Sequence, residues 1–404
     1  MKLVLASMLD ELGRITDERG KITRTFLSPA MRRANAQVGT WMRAAGMQVR
    51  EDTVGNLIGR WESPEPRAKT LLIGSHLDTV RDAGRFDGPL GVLLPIVAVA
   101  ELRRRGVALP FHVEVLGFSE EEGVRFASAY IGSKGFSGQL RSADLKYRDP
   151  QGVSIRDTLS RFNGGTFKIP AAAHAKINLL GYFEVHIEQG PVLEDKGLAV
   201  GVVTGIAGQT RGRLLFRGKA GHAGTTPMPL RRDALAGAAE FVLLTETLAR
   251  RSSPLVATVG TLTVEPGAPN VIPGEVTLSL DVRHPRDAGR RVALNSLLES
   301  ARKIARRRKL TVEWQVTQEN SAVACDPGIS AVLSRSVSVV QGSSVGLVSG
   351  AGHDAVVMSV LTPVAMLFVR CRDGLSHHPD EYASRSDLAV ASRVVEDFIE
   401  RFAR

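Results

Sequence analysis

Runs of apolar residues at positions 70–76, 111–118, 182–186, 199–206 and 364–369 predict strands buried on both faces. Helical periodicity lies between them, most clearly over 91–105 and 387–402. Strands alternating with helices imply layered α/β architecture. Positions 209–318 read differently. Strand candidates at 211–216, 256–264, 275–282 and 310–316 alternate polar and apolar residues, as a sheet open to solvent on one face requires, with helices predicted at 231–250 and 288–308. The order strand, helix, strand, strand, helix, strand is ferredoxin-like. The expected fold is a large α/β/α domain with a mixed central sheet, residues 1–208 and 319–404, interrupted by a ferredoxin-like α+β domain at 209–318. A chain of 404 residues is long enough for two cores.

Composition narrows the function classes. The net charge of +10 raises nucleic-acid binding, but aromatic content is only 5% and the basic runs at 103–105 and 302–309 hold no interleaved stacking residues. No nucleic-acid partner is expected, and the charge reads as an Arg-rich surface that attracts an anionic substrate. Cys325 and Cys371 are the only cysteines, too few for a disulfide framework or a thiolate metal site. That usage fits a reducing, cytoplasmic compartment. Lys2 precedes an apolar run at 3–9, but Asp10, Glu11 and Arg14 follow at once, so an amphipathic first helix is expected rather than a signal peptide. No apolar stretch reaches the ~20 residues that a membrane span needs.

The residues that carry chemistry gather where apolar strands end. His76 and Asp78, in Gly74-Ser75-His76-Leu77-Asp78-Thr79-Val80, stand two apart on extended chain, a spacing that suits an imidazole ligand and a carboxylate that orients it. Asp87, in Phe86-Asp87-Gly88-Pro89, has two oxygens that could bind one ion each, or it could begin a helix as an N-cap. Ser119-Glu120-Glu121-Glu122-Gly123 is either a solvated acidic turn or a cation site in which one Glu binds metal while its neighbour acts as base. His186-Ile187-Glu188-Gln189-Gly190 and Ser376-His377-His378-Pro379-Asp380-Glu381 complete the set. Carboxyl ends of strands are where open α/β sheets collect ligands. Mixed His, Asp and Glu donors without Cys suit zinc or manganese.

These motifs, together with Gly221-His222-Ala223-Gly224-Thr225-Thr226-Pro227-Met228, Asn270-Val271-Ile272-Pro273-Gly274 and Ser349-Gly350-Ala351-Gly352-His353-Asp354-Ala355, resemble the M20-type metallopeptidase superfamily over almost the whole chain, and within it the amidase branch. The resemblance implies one ion on His76, Asp87 and His186 and a second on Asp87, Glu122 and His377, with Asp87 bridging. It implies Glu121 as general base, Asp78 among the catalytic residues as the carboxylate beside His76, and His377 rather than His378 as ligand. His186 is the feature of the amidase branch, since the peptidases tend to carry an acid there. The inserted domain matches a lid through which the family forms homodimers. His222 matches a residue that reaches a partner's active site, and Asn270 and Arg283 match residues that hold the substrate's carboxylate. Gln189, Gly352 and His353 fall in pocket-lining motifs. The implied reaction is hydrolysis of a ureido C–N bond in a small carboxylate, allantoate first, with an N-carbamoyl-L-amino acid or N-carbamoyl-β-alanine as the alternative.

Overall fold

The computed structural model describes residues 4–403. Lys2 and the first residue of the apolar run, Leu3, lie outside the described residues. The first helix, Leu5–Gly13, is amphipathic and buries Leu5, Met8, Leu9 and Leu12.

The chain divides into two compact units, one ending at Thr204 and resuming at Cys325, the other Gly205–Ala324. The second unit begins before and ends after 209–318 because Val323 and Ala324 pair with Ile206 and Gly205, fastening its entry to its exit.

In the first unit the strand order is Gln48–Glu51, Leu57–Trp61, His112–Phe118, Thr70–His76, Leu179–Ile187, Val364–Val369, Val200–Ile206. The four central strands, His112–Phe118, Thr70–His76, Leu179–Ile187 and Val364–Val369, are mutually parallel. The strands flanking them are antiparallel. Thr70–His76, His112–Phe118 and Val364–Val369 are buried at every position, which is why their sequences show no alternation. The helix Pro89–Arg104 is the crossover between the parallel strands Thr70–His76 and His112–Phe118. It packs with Arg385–Phe402 and Pro327–Gln341 in one large apolar core. A second cluster, from Phe26 and Val54 to Leu159 and Phe167, gathers the segment after the Glu triplet, for which the sequence offered no reading.

The second unit is an antiparallel sheet ordered Leu262–Glu265, Glu275–His284, Gly208–Arg217, Thr311–Asn320, with Val256–Thr258 also paired to Glu275–His284. The helices Ala234–Arg251 and Asp287–Arg308 pack against it, and burial alternates strictly along Glu275–His284. This is the ferredoxin-like order. The strand expected at 256–264 is two strands, because the Ser279 hydroxyl takes the N–H groups of Gly260 (3.2 Å) and Thr261 (2.9 Å) between them. A short ribbon pairs Gly221–His222 with Val271–Ile272. No described helix is long and apolar enough to cross a membrane.

Candidate metal centre

Parallel strands end on the same edge of a sheet, and the central four deliver the chemistry there. His76 closes Thr70–His76, and Glu120, Glu121 and Glu122 follow His112–Phe118. His186 lies one residue from the end of Leu179–Ile187, and His377 is in the loop after Val364–Val369. Asp87 comes from the turn that begins the Pro89–Arg104 helix. His76, Asp87 and His186 present ligand atoms within 4.8 Å of one another, and so do Asp87, Glu122 and His377. A third grouping joins His76, Glu121 and Glu122, so distance alone does not separate the two glutamates. A cavity of about 190 Å³ opens onto these side chains.

The first trio fits a divalent cation closely. The ring Nδ1 of His76 lies 3.0 Å from the Asp78 main-chain oxygen, and that of His186 lies 2.9 Å from the Ile187 oxygen. A carbonyl only accepts, so both Nδ1 atoms carry a proton, and each ring in its neutral, metal-binding form turns a lone pair outward from Nε2. Those Nε2 atoms face Asp87 Oδ1 at 3.4 and 3.1 Å. Lone pairs aimed at a carboxylate oxygen repel unless positive charge lies between them. For metal–ligand bonds of about 2.0–2.1 Å at tetrahedral angles, the donor–donor edge is about 3.3 Å. The same deficit of positive charge shows in the titration. Although burial opposes it, His76 is held well above its ordinary value by Asp78 and Asp87, and His186 is raised chiefly by Asp87. Burial pushes Glu122 up to about 8 and Glu121 well above the usual carboxylate range, with neighbouring carboxylates adding to both.

The second trio is looser. His377 Nε2 stands 3.4 Å from Asp87 Oδ2 and 3.7 Å from Glu122 Oε1, on a half-exposed side chain. Asp87 Oδ2 already accepts Ser376 Oγ at 2.5 Å and Gln189 Nε2 at 2.8 Å. Both Gln189 and His377 have left-handed backbone (φ 55° and 56°), a strain that tends to persist where function requires it.

Two surrounding carboxylates hold the main chain of the site in place. The Asp78 carboxylate is 3.5 Å from His76 Nδ1, farther than its own main-chain oxygen. It also accepts the N–H groups of Glu121 (3.0 Å) and Glu122 (3.2 Å) and so sets the acidic turn. Glu381, in the cluster after His377, accepts the N–H groups of Phe86 (2.8 Å) and Asp87 (3.1 Å) and holds the Asp87 turn. Glu120 is drawn out of the site, because its carboxylate takes the Gly123 N–H at 2.6 Å.

Of the expected pocket residues, Gln189 and Gly352 line the cavity. His353 is buried instead, with its ring on that of His186 (centroids 4.6 Å apart) and Nε2 at 2.7 Å from Ser349 Oγ. His222, Asn270 and Arg283 belong to the second unit. His222 and Asn270 sit on the same ribbon, where the Ala223 N–H donates to the Asn270 oxygen at 2.9 Å. Arg283 donates to both oxygens of Asp281, at 3.0 and 2.8 Å. It stands eight positions along its strand from Glu275, roughly 27 Å from the ribbon end at the usual strand rise.

Comparison with known proteins places this geometry. Residues 72–401 match the model of peptidase family M20/M25/M40. Allantoate deiminase 2 of Glycine max is 39% identical over 98% of this chain and 88% of its own. An N-carbamoyl-L-amino acid amidohydrolase of Geobacillus stearothermophilus is 40% identical over 96% of this chain and 95% of its own. The solved structure of an amidase of the hydantoinase/carbamoylase family from Burkholderia multivorans superposes with a TM-score of 0.92 at 34% identity, covering 99% of this chain and 97% of that one. With its motifs in order and its strand ends converging on one His/Asp/Glu cluster, the chain belongs to the M20/M25/M40 family of metal-dependent hydrolases, in the amidase branch.

Proposed function

We propose that this protein hydrolyses the ureido C–N bond of a small carboxylate, with allantoate as the leading substrate. The observation that carries this reading is the donor set His76, Asp87 and His186, with both imidazole lone pairs aimed at one carboxylate oxygen beside Glu121. His186 is the member of that set that resembles the amidases. Relatives named for allantoate and for N-carbamoyl-L-amino acids are about equally similar. Both substrates offer a ureido group near a carboxylate, so an N-carbamoyl amino acid is the second reading. The motifs Leu109-Pro110-Phe111 and Arg231-Arg232-Asp233-Ala234-Leu235 favour allantoate by their resemblance to bacterial allantoate amidohydrolases.

His76, Asp87 and His186 would hold one ion, zinc or manganese, and Asp87, Glu122 and His377 a second, with the Gln189 amide turning away from Asp87. Divalent ions in these positions supply Lewis-acid polarisation of the carbonyl and a water that is easily deprotonated. Glu121 takes the proton from the water that attacks the ureido carbon, then returns it to the leaving nitrogen. The balance is one water consumed, with ammonia, carbon dioxide and an amine released. Arg283 exchanges Asp281 for the substrate carboxylate, which its two-pronged guanidinium can take in the same way. His222 and Asn270, grouped together and far along the sheet from Arg283, act on the site of a second copy of the chain. There, His222 stabilises the oxyanion.

Ammonia release, measured with metal-stripped enzyme reloaded with zinc or manganese, tests the reading across allantoate, N-carbamoyl-β-alanine, N-carbamoyl-L-amino acids and dipeptides. The largest kcat/KM is expected for allantoate. Cleavage of dipeptides with no ureido substrate turned over would overturn the proposal.

A further inference from the structure

We infer that Tyr130 is a substrate-contacting residue, its phenol donating a hydrogen bond to an oxygen of the molecule held in the metal-centre cavity. The inference rests on the amidohydrolase reading above but not on the choice of allantoate.

Four observations support it. Tyr130 lines the cavity of about 190 Å³ together with His76, Glu121, Glu122 and Gly352. Its hydroxyl makes no hydrogen bond within the described residues. Tyr130 is partly buried, and a hydroxyl that opens onto a cavity without a protein partner is a donor available to what the cavity holds. The wall beside it is cut to receive it, since a Cβ at Gly352 would lie 2.1 Å from the phenol oxygen.

The fourth observation is the backbone. Tyr130 sits at φ 68°, ψ 27°, the left-handed region, which costs a side-chain-bearing residue roughly 1–2 kcal/mol. The conformation is held from both sides. The Tyr130 N–H donates to the Glu121 oxygen at 3.3 Å, and its own oxygen accepts the Lys134 N–H at 2.9 Å. The phenol is thereby tied to the turn that carries Glu121.

The chemistry of the wall fixes what the hydroxyl can meet. Glu121 and Glu122 flank it, and burial beside these carboxylates raises its affinity for protons well above the ordinary phenol value. A phenol with the ordinary value of about 10 is protonated at neutral pH in any case, and its proton calls for an acceptor: a carbonyl or carboxylate oxygen of the substrate.

The test is Tyr130→Phe, which keeps the ring and removes one oxygen. Parent and variant are compared for kcat and KM on whichever substrate of the panel the parent turns over best, and for bound metal per subunit and melting temperature. A fall in kcat/KM of about tenfold or more is expected, the usual upper worth of a hydrogen bond to an uncharged acceptor or the lower worth of one to a charged acceptor. Metal content and melting temperature should equal those of the parent. Gly352→Ala should lower kcat/KM in the parent and do less further damage in the Phe background, where the clashing oxygen is gone. Activity within twofold of the parent would overturn the proposal. So would a metal-poor or unstable Tyr130→Phe protein, because the hydroxyl would then be structural. If the parent cleaves dipeptides and no ureido compound, the amidohydrolase reading fails. The comparison still decides Tyr130, since carbonyl and carboxylate oxygens are common to both substrate classes.

Discussion

The Asp78 carboxylate accepts the main-chain N–H of Glu121 at 3.0 Å, and with its other oxygen that of Glu122 at 3.2 Å. The residue therefore sets the acidic turn through the backbone, while its main-chain oxygen fixes the His76 ring. Asp78→Ala would leave two buried N–H groups unpaired, at about 1–3 kcal/mol each. Chemical denaturation should show that loss, and kcat should fall at saturating metal because both glutamates lose their placement. Asp78→Asn retains one acceptor oxygen and should lie between. A fully stable and fully active Ala variant would mean that the turn holds itself.

Much of this arrangement was legible in the sequence, for a specific reason. A strand buried on both faces must be an unbroken apolar run, and polar residues that interrupt such runs at one end stand out. His76, the Glu triplet and His186 are all of that kind. The edge strand Gln48–Glu51 and its neighbour Leu57–Trp61 were missed because four or five residues are too few to carry a usable period. Tyr130 gave no signal, because a left-handed backbone at an aromatic residue is imposed by tertiary contacts and has no residue signature. Glu381 lay within a quoted motif, but its bonds to Phe86 and Asp87 span nearly 300 positions and follow only from the fold. The second task of the Asp78 carboxylate was equally hidden, since proximity in sequence pointed only to His76, which it does approach at 3.5 Å.

Gly88 is needed for the space it leaves. It has φ 80°, and a Cβ there would lie 2.4 Å from two atoms of the His76 ring. The ring cannot retreat without giving up either the Asp78 oxygen or its aim at Asp87. Gly88→Ala should therefore lower metal affinity at least tenfold, the scale on which lost positioning contacts act at metal sites. Equilibrium dialysis with metal analysis would measure this. Unchanged affinity would show that the ring has room to move.

Glu381 gives the metal-stripped protein a characteristic pH dependence. Burial raises its carboxyl from the ordinary 4.5 to about 7, with Asp87 adding to the shift. A carboxyl with a raised folded-state value contributes stability that is fully present below 4.5 and is lost as pH rises through 7. The size of that loss is on the order of 3 kcal/mol at most. Glu381→Gln keeps an amide oxygen for the N–H groups of Phe86 and Asp87 but cannot ionise. In chelator-treated samples, urea unfolding should show the variant gaining on the parent between pH 5 and pH 8, on the order of that amount. Parallel curves for the two proteins would rule out the ionisation of Glu381 as a cost.

The proposal that His222 acts on the site of a second copy is testable by mixing. Glu121→Gln should bind metal and lose a hundredfold or more in kcat, the usual scale for a general base. His222→Ala should be comparably impaired through loss of an oxyanion donor. In a dimer formed from one subunit of each kind, the His222→Ala subunit still has Glu121 and receives an intact His222 from its partner. The other site lacks both groups. Unfolding and refolding the two inactive proteins together should make half the dimers mixed, each with one working site, so activity should return to about a quarter of the parent's. If His222 served its own subunit, every site in every dimer would lack one group and mixing would restore nothing. A mixture that stays inactive while sizing as a dimer would therefore assign His222 to its own chain, and one that runs as a monomer would remove the second copy from the site altogether.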